Sequence, residues 1–122
     1  MPMQSFQEVQ EYGLSLPGAY LDYPFDDKIP VLRHRGNGKI FAFFIQRAGV
    51  SMVNLKCEPM VADFWRDVYA DVLPGYHMNK THWNSILLPG CVPEADLVTM
   101  INDSHRLTAP KRKAPPKPAQ PE

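Results

Sequence analysis

The chain has only two cysteines, Cys57 and Cys91, far apart and outside any CxxC pattern, so a disulfide framework is excluded and a reducing compartment is expected. It also lacks a long hydrophobic run. The longest, Ile40 to Ile45, falls well short of the roughly 20 residues that cross a bilayer. Met1 to Leu16 has neither the basic start nor the apolar segment of a secretion signal. No membrane partner is expected, and the location that follows is cytoplasmic. Net charge is absent too, because 13 basic and 13 acidic residues cancel. That balance excludes the global positive field of a strongly basic nucleic-acid binder, so any phosphate contact must come from a local patch or a terminal segment.

The cancellation hides an asymmetry. Lys111, Arg112, Lys113 and Lys117 against Glu122 give the end of the chain a net +3, and the remainder carries −3. From Thr108 onward there are five prolines and no large apolar side chain, the composition of a disordered Pro/Lys-rich tail. With 44% hydrophobic and 11% aromatic residues in 122, the rest can bury one core. The expected organisation is a domain over residues 1–107 and a tail over 108–122.

Local patterns predict the elements of that domain. Ser5 with Glu8 three residues later has the form of a capping box, and Phe6, Val9, Gly13 and Leu16 follow at helical spacing up to Pro17-Gly18. The stretch through Tyr23-Pro24-Phe25-Asp26-Asp27 reads as an ordered loop. Val31 to Arg35 and Lys39 to Ile45 flank Gly36-Asn37-Gly38 as a hairpin, with Phe41, Phe43 and Ile45 expected on one face. Val50 to Cys57 adds a third strand, setting Val53, Leu55 and Cys57 opposite Met52, Asn54 and Lys56. Pro59 starts a helix whose apolar stripe is Val61, Phe64, Trp65 and Val68. Tyr76 to Met78 and Trp83 to Leu88 are read as two further strands around Asn79-Lys80-Thr81. Pro93 opens a last helix with Leu97, Met100, Ile101 and Leu107 on one side and Ser104 between them. The order α-β-β-β-α-β-β-α implies a two-layer α+β fold, an antiparallel sheet with helices on one face and the other face partly open. Arg33, Arg35, Met52, Asn54 and Lys56 are candidates for one face of that sheet.

The densest polar cluster is Tyr76-His77-Met78-Asn79-Lys80-Thr81-His82-Trp83-Asn84. It holds two imidazoles, two carboxamides, an ammonium and two aromatic rings, and no carboxylate. Those groups donate hydrogen bonds to phosphates or base edges and offer rings for stacking, whereas acid–base hydrolysis usually recruits Asp or Glu. Lys80, His82 and Asn84 are read as exposed and functional, and Trp83 as packed. The plainer alternative is that the Tyr/Trp pair belongs to the core and that Asn79 is an ordinary turn residue. His77 and His82, joined by Cys57 or Cys91, could be imagined around zinc, but no recognised ligand interval supports it. Lys56 beside Cys57 could activate a thiol, yet alternation turns Cys57 toward Val53 and Leu55, where cysteine behaves as a small apolar residue. Asp22, Asp26 and Asp27 read as solvated loop carboxylates. No catalytic residue, metal site or cofactor is assigned.

Four blocks in order carry a resemblance: Leu14-Ser15-Leu16-Pro17-Gly18; Asp22-Tyr23-Pro24-Phe25; Asn54-Leu55-Lys56-Cys57-Glu58-Pro59; and Gly75-Tyr76-His77-Met78-Asn79-Lys80 with His82-Trp83-Asn84. They resemble the MmcQ/YjbR family across nearly the whole domain. The resemblance implies a two-layer α/β fold related to secretion chaperones and frataxin-like proteins, and a DNA-binding role through a double-wing arrangement of hairpins. It transfers no catalytic residues. Read together, the residues point to a non-catalytic nucleic-acid-binding module using Lys56, Lys80, His82 and Asn84 with help from Arg33 and Arg35. The alternative is a protein-interaction or chaperone-like module whose open sheet face or edge receives a peptide. An enzyme with His77 or His82 as its acid–base group ranks last, because no carboxylate orienter lies nearby in sequence.

Overall fold

The computed structural model describes residues 5–110 except Asp26, His77 and the side chain of Arg47. Helix α1 (Phe6–Leu14) starts at the expected capping box. The Ser5 hydroxyl accepts from the Glu8 amide at 3.1 Å, and the Glu8 carboxylate accepts from the Ser5 amide at 3.2 Å. Two free amides of the first turn are thereby satisfied. Next comes β1 (Ala19–Asp22), then β2 (Val31–His34), β3 (Ile40–Arg47) and β4 (Val50–Lys56). Helix α2 (Pro59–Val68) carries Pro59 in its first turn, and β5 (Val72–Pro74), β6 (Trp83–Leu88) and α3 (Glu94–Thr108) complete the order.

The sheet runs β1-β2-β3-β4-β6-β5 with every pairing antiparallel. Its inner face presents Leu32, Ala42, Phe44, Val53, Leu55 and Ile86 to Val9, Ala62, Trp65, Leu97, Met100 and Ile101 of the helices. The expected α+β class, with helices on one face, is what is seen. There is one strand more than the patterns indicated, because Ala19–Asp22 forms an edge strand against β2. The second pair of strands also differs: β6 pairs with Val72–Pro74, while Tyr76 and Met78 lie in the loop between them. Both edges are short, and β5 ends in a proline, which discourages strand addition.

Two further corrections come from packing. Phe41 does not share a face with Phe43 and Ile45. The register shifts so that Leu32 faces Ala42 while Arg33 faces Ile40, which leaves Phe41 as an extra residue turned inward beside Ala42. On α2, the expected stripe is rotated. Ala62 and Trp65 are buried, whereas Phe64 and Val68 are 55% and 47% exposed, because Arg66 is drawn toward the sheet end instead.

Buried polar groups clasp the bulge. Ser104 is fully buried, donates to the Phe41 carbonyl at 2.6 Å and accepts from the Lys56 amide at 2.9 Å. One hydroxyl thus bridges two strands where the ladder opens, and neither backbone group is left unsatisfied. One turn later, Thr108 donates its hydroxyl proton to the Ser104 carbonyl at 2.7 Å. The same hydroxyl oxygen lies 2.9 Å from His34 Nε2, so the two side chains are hydrogen-bonded in the core. The His34 ring packs 4.4 Å from that of His105, whose Nε2 donates to the Pro17 carbonyl at 2.8 Å.

Burial first, and the neighbouring His105 second, hold the His34 pKa below its ordinary value. The unfolded chain, with His34 near about 6.5, binds this proton more readily than the native state does. Stability is therefore full above the unfolded pKa and declines as pH falls toward the lowered native one, by at most about 1.4 kcal/mol per pH unit. Urea unfolding between pH 7.5 and 5.5 should show this decline, and His34→Gln, which keeps a donor for Thr108 without titrating, should flatten it. An identical slope in that variant would remove His34 as the cause.

Candidate nucleic-acid interface

Strand alternation sends Arg33, Phe43, Ile45, Met52, Asn54, Lys56, Trp83 and Ser85 to the sheet face away from the helices. This face is partly roofed. The loop after β1 brings Phe25 over it, with the ring nearly parallel to that of Phe43 at 6.0 Å between centroids. The loop from Gly75 to His82 brings Tyr76 and Met78 from the other side. Between them lies an apolar pocket of about 350 Å³ lined by Phe25, Ile29, Phe43, Ile45, Tyr76 and Met78. Beyond Phe43 a second cleft of about 330 Å³ opens, walled by Lys39, Ile40, Lys56, Trp83 and Thr108. The Trp83 ring stands edge-to-face against Phe43 at 5.5 Å.

The covering loop is fixed at both ends. On the sheet side, Asn54 is completely buried, donates to the Tyr76 carbonyl at 2.9 Å and accepts from the Ser85 hydroxyl. Ser85 in turn accepts from the Tyr76 amide at 2.8 Å. The Gly75 amide donates to the Trp83 carbonyl at 2.8 Å. A Cβ at Gly75 would lie 2.7 Å from Trp83 Cβ and 2.9 Å from that carbonyl oxygen, so the approach requires glycine. On the helix side, Arg66 Nε donates to Asn84 Oδ1 at 2.6 Å, and its Nη2 serves the carbonyls of Lys80 and, at 3.2 Å, Trp83.

The expected binding residues are distributed unevenly over this geometry. Lys56 is half-buried and lines the cationic cleft. Lys80 and His82 are exposed on the loop, with the Lys80 ammonium donating to the Gly75 carbonyl at 3.2 Å. Asn84 is 1% exposed and is a correction. Trp83 and Asn84 are adjacent in a strand and must point oppositely, so the half-buried Trp83 takes the outer face and Asn84 the inner. There its amide donates to the Ala62 carbonyl at 3.2 Å and approaches Cys57 Sγ at 3.9 Å.

Arg33 lies on the outer face, but its guanidinium is spent on Asp22 at 2.7 Å and on the Gly38 carbonyl at 2.9 Å. The Arg33 hydrogen bond, seconded by the Tyr23 amide, holds the Asp22 carboxyl below its usual pKa. Arg35 is exposed and sits over the Tyr20 ring at 5.2 Å, away from the cleft.

Three contributors escaped the sequence reading. Lys39 was only the first residue of an expected strand, Phe43 was only one of three residues placed on one sheet face, and Arg66, which also lies 3.5 Å from Asp63, was not singled out. Burial pushes the Cys57 thiol up to about 11, assisted by the Asp103 charge, which leaves it a packing residue. No group of three or more His, Cys, Asp or Glu able to hold a metal is found among the described residues, and His77 lies outside them.

Residues 14–107 match the family model described as YjbR. The chain belongs to the YjbR family. Its similarity to family relatives runs nearly end to end. It is 37% identical over 108 residues to the uncharacterized protein YbdF of Escherichia coli O157:H7, covering 88% of this chain and 87% of that one. With YyaQ of Bacillus subtilis strain 168 it shares 36% identity over 117 residues, 84% of this chain and 93% of the relative. Among solved structures, a Pseudomonas syringae crystal structure superposes with a TM-score of 0.76 at 27% identity, covering 85% of this chain and 98% of that one. A Deinococcus radiodurans protein with the DUF419 domain superposes with the same score at 28% identity, over 86% of this chain and 78% of that one. The stretch Gly75 to Asn84 lies within the matched residues and contains the loop that Arg66 and Asn54 pin in place.

Arg66→Lys should release that loop. A single ammonium cannot span three acceptors set in a guanidinium fork, and the loss should amount to roughly 2 kcal/mol, with Asn84 left underpaired. Hydrogen exchange at Lys80 to Trp83 should accelerate while α1 stays protected; unchanged protection in the variant would show the contacts to be dispensable.

Proposed function

We propose that the domain binds nucleic acid on its outer sheet face, through the cleft between Lys39, Lys56 and Trp83. The observation that carries this reading is the segregation of charge. The charged solvent-facing positions on the helices are mainly acidic: Glu8, Glu11, Asp63, Asp67 and Glu94, against Arg106. On the opposite face Lys39 and Lys56 line one cleft beside the half-buried rings of Phe43 and Trp83, and Lys80 is exposed on the adjoining loop. A net negative domain therefore still offers a local cationic track with stacking surfaces, the combination that favours phosphate and base contact.

The chain's own continuation adds to this. Asn37 donates to the Thr108 carbonyl at 3.0 Å, and a Cβ on Gly36 would lie 2.6 Å from Pro110 Cγ. Pro110 is thus seated near the cleft wall, and Lys111-Arg112-Lys113 follow it directly in the chain. DNA is the expected partner class. The reading involves no catalysis.

Replacing Lys39 and Lys56 together by alanine tests the reading by fluorescence anisotropy across a salt series. Affinity should fall, and the slope of log K against log salt should shrink by roughly 1.4, two phosphates at about 0.7 each for a single strand. Binding with an unaltered slope would move the interface elsewhere; no binding at low salt by the unaltered domain would remove the function.

One observation favours a second reading, a protein-interaction module. Met60, Phe64 and Val68 recur every fourth residue along α2 and are 85%, 55% and 47% exposed, an apolar stripe of the kind that docks onto a partner. A stoichiometric partner that survives nuclease treatment and is lost with Phe64→Glu is the expected result for this reading. Retention by that variant would exclude α2 as the docking face.

A further inference from the structure

The outer face carries a ladder of rings, Trp83, Phe43 and Phe25, whose consecutive centroids are 5.5 Å and 6.0 Å apart. Phe43 is shared, so the cationic cleft and the apolar pocket lie side by side across its ring. The lysines lie at the Trp83 end. The pocket at the Phe25 end is lined by apolar and aromatic side chains. The nearby polar groups of Asn54 and Ser85 are buried and already bonded to each other and to the Tyr76 backbone.

We infer that the nucleic acid taken by this face is single-stranded, with successive bases docked on Trp83 and in the Phe25–Phe43 pocket while the backbone runs past Lys39 and Lys56. This rests on the nucleic-acid reading above and narrows it to a substrate class. Neighbouring bases in a duplex stack about 3.4 Å apart along a strand. The Trp83, Phe43 and Phe25 rings touch one another at ordinary aromatic distances, and their remaining faces can meet only bases that have left their own stack, a state open to a single strand and closed to an intact helix.

The shape agrees. Duplex readers insert a helix or hairpin into a groove, whereas the Phe43 and Trp83 rings are half-buried in a concave face, and the charged positions on the outward helix surfaces are mainly acidic. The pocket, at about 350 Å³, lies near the lower end of small-ligand sites, about 300 Å³. Its apolar walls hold a ring by its faces and do not read its edges. Recognition should therefore tolerate any base, as stacking platforms do.

Phe25 gives a clean test because it is 60% exposed and its removal leaves the core intact. Anisotropy of the full chain with a fluorescent 15-nucleotide oligothymidine and with a blunt duplex of the same length should show the single strand bound at least tenfold more tightly. Phe25→Ala should weaken oligothymidine binding about tenfold, the scale of one lost base–ring stack, without changing the salt slope, since no cation is removed. Equal or tighter duplex binding overturns this inference and leaves the nucleic-acid reading standing. Unchanged oligothymidine affinity in Phe25→Ala does the same. Failure to bind either probe at low salt overturns both.

Discussion

The candidate interface depends on one guanidinium. Arg66 rises from α2 on the helix side of the sheet, yet its three donor contacts end on groups that shape the other side: the Asn84 carboxamide and the carbonyls of Lys80 and Trp83. The buried Asn84 oxygen takes its hydrogen bond from Arg66, and the Trp83 carbonyl, which already accepts from the Gly75 amide, gains a second donor where β6 begins. By collecting them, Arg66 fixes the direction in which the chain enters β6 and hence the outward aim of Trp83. It also explains why α2 is turned so that Phe64 and Val68 face solvent. Rotating the apolar stripe inward would carry the guanidinium away from its acceptors and leave buried Asn84 half-satisfied, a cost comparable to the burial gained.

What was legible in the sequence was what local rules decide. The capping box at Ser5, the proline starting α2, the hairpin around Asn37 and the alternation of Val53, Leu55 and Cys57 against Met52, Asn54 and Lys56 all involve residues close along the chain. What was not legible depended on partners far away. Ala19–Asp22 is a strand only because β2 offers it an edge. Phe41 turns inward only because Ser104, far along the chain on α3, supplies a hydroxyl that lets the ladder bulge there.

Asn84 illustrates a subtler failure. Its residue type suggested a surface donor, but parity within a strand is stricter than residue type. Once Trp83 to Leu88 is a strand, Trp83 and Asn84 cannot both face out, and the register with β4, which sets Leu55 opposite Asn84, decides between them. A carboxamide could take the inner position because α2 brings the Ala62 carbonyl and Arg66 to meet it. Formal charge misleads in a similar way. A total of zero, or of −3 for the domain, says nothing of distribution, and Lys39 and Lys56 still meet in one cleft.

The outer face and the core are also joined at the end of α3. Thr108 forms part of the cleft wall beside Lys56 and Trp83, and the same residue is hydrogen-bonded to buried His34. Through Ser104, one turn earlier, the helix holds the Lys56 amide, so both the backbone of that lysine and the wall facing it are set by one helical segment. A substitution in the last turn of α3 therefore cannot be read as purely structural. Loss of the Thr108 hydroxyl would remove a hydrogen bond from His34 in the core and at the same moment change the wall against which Lys56 is positioned. Stability and the shape of the cationic cleft are coupled here because the fold uses the same hydroxyls for both.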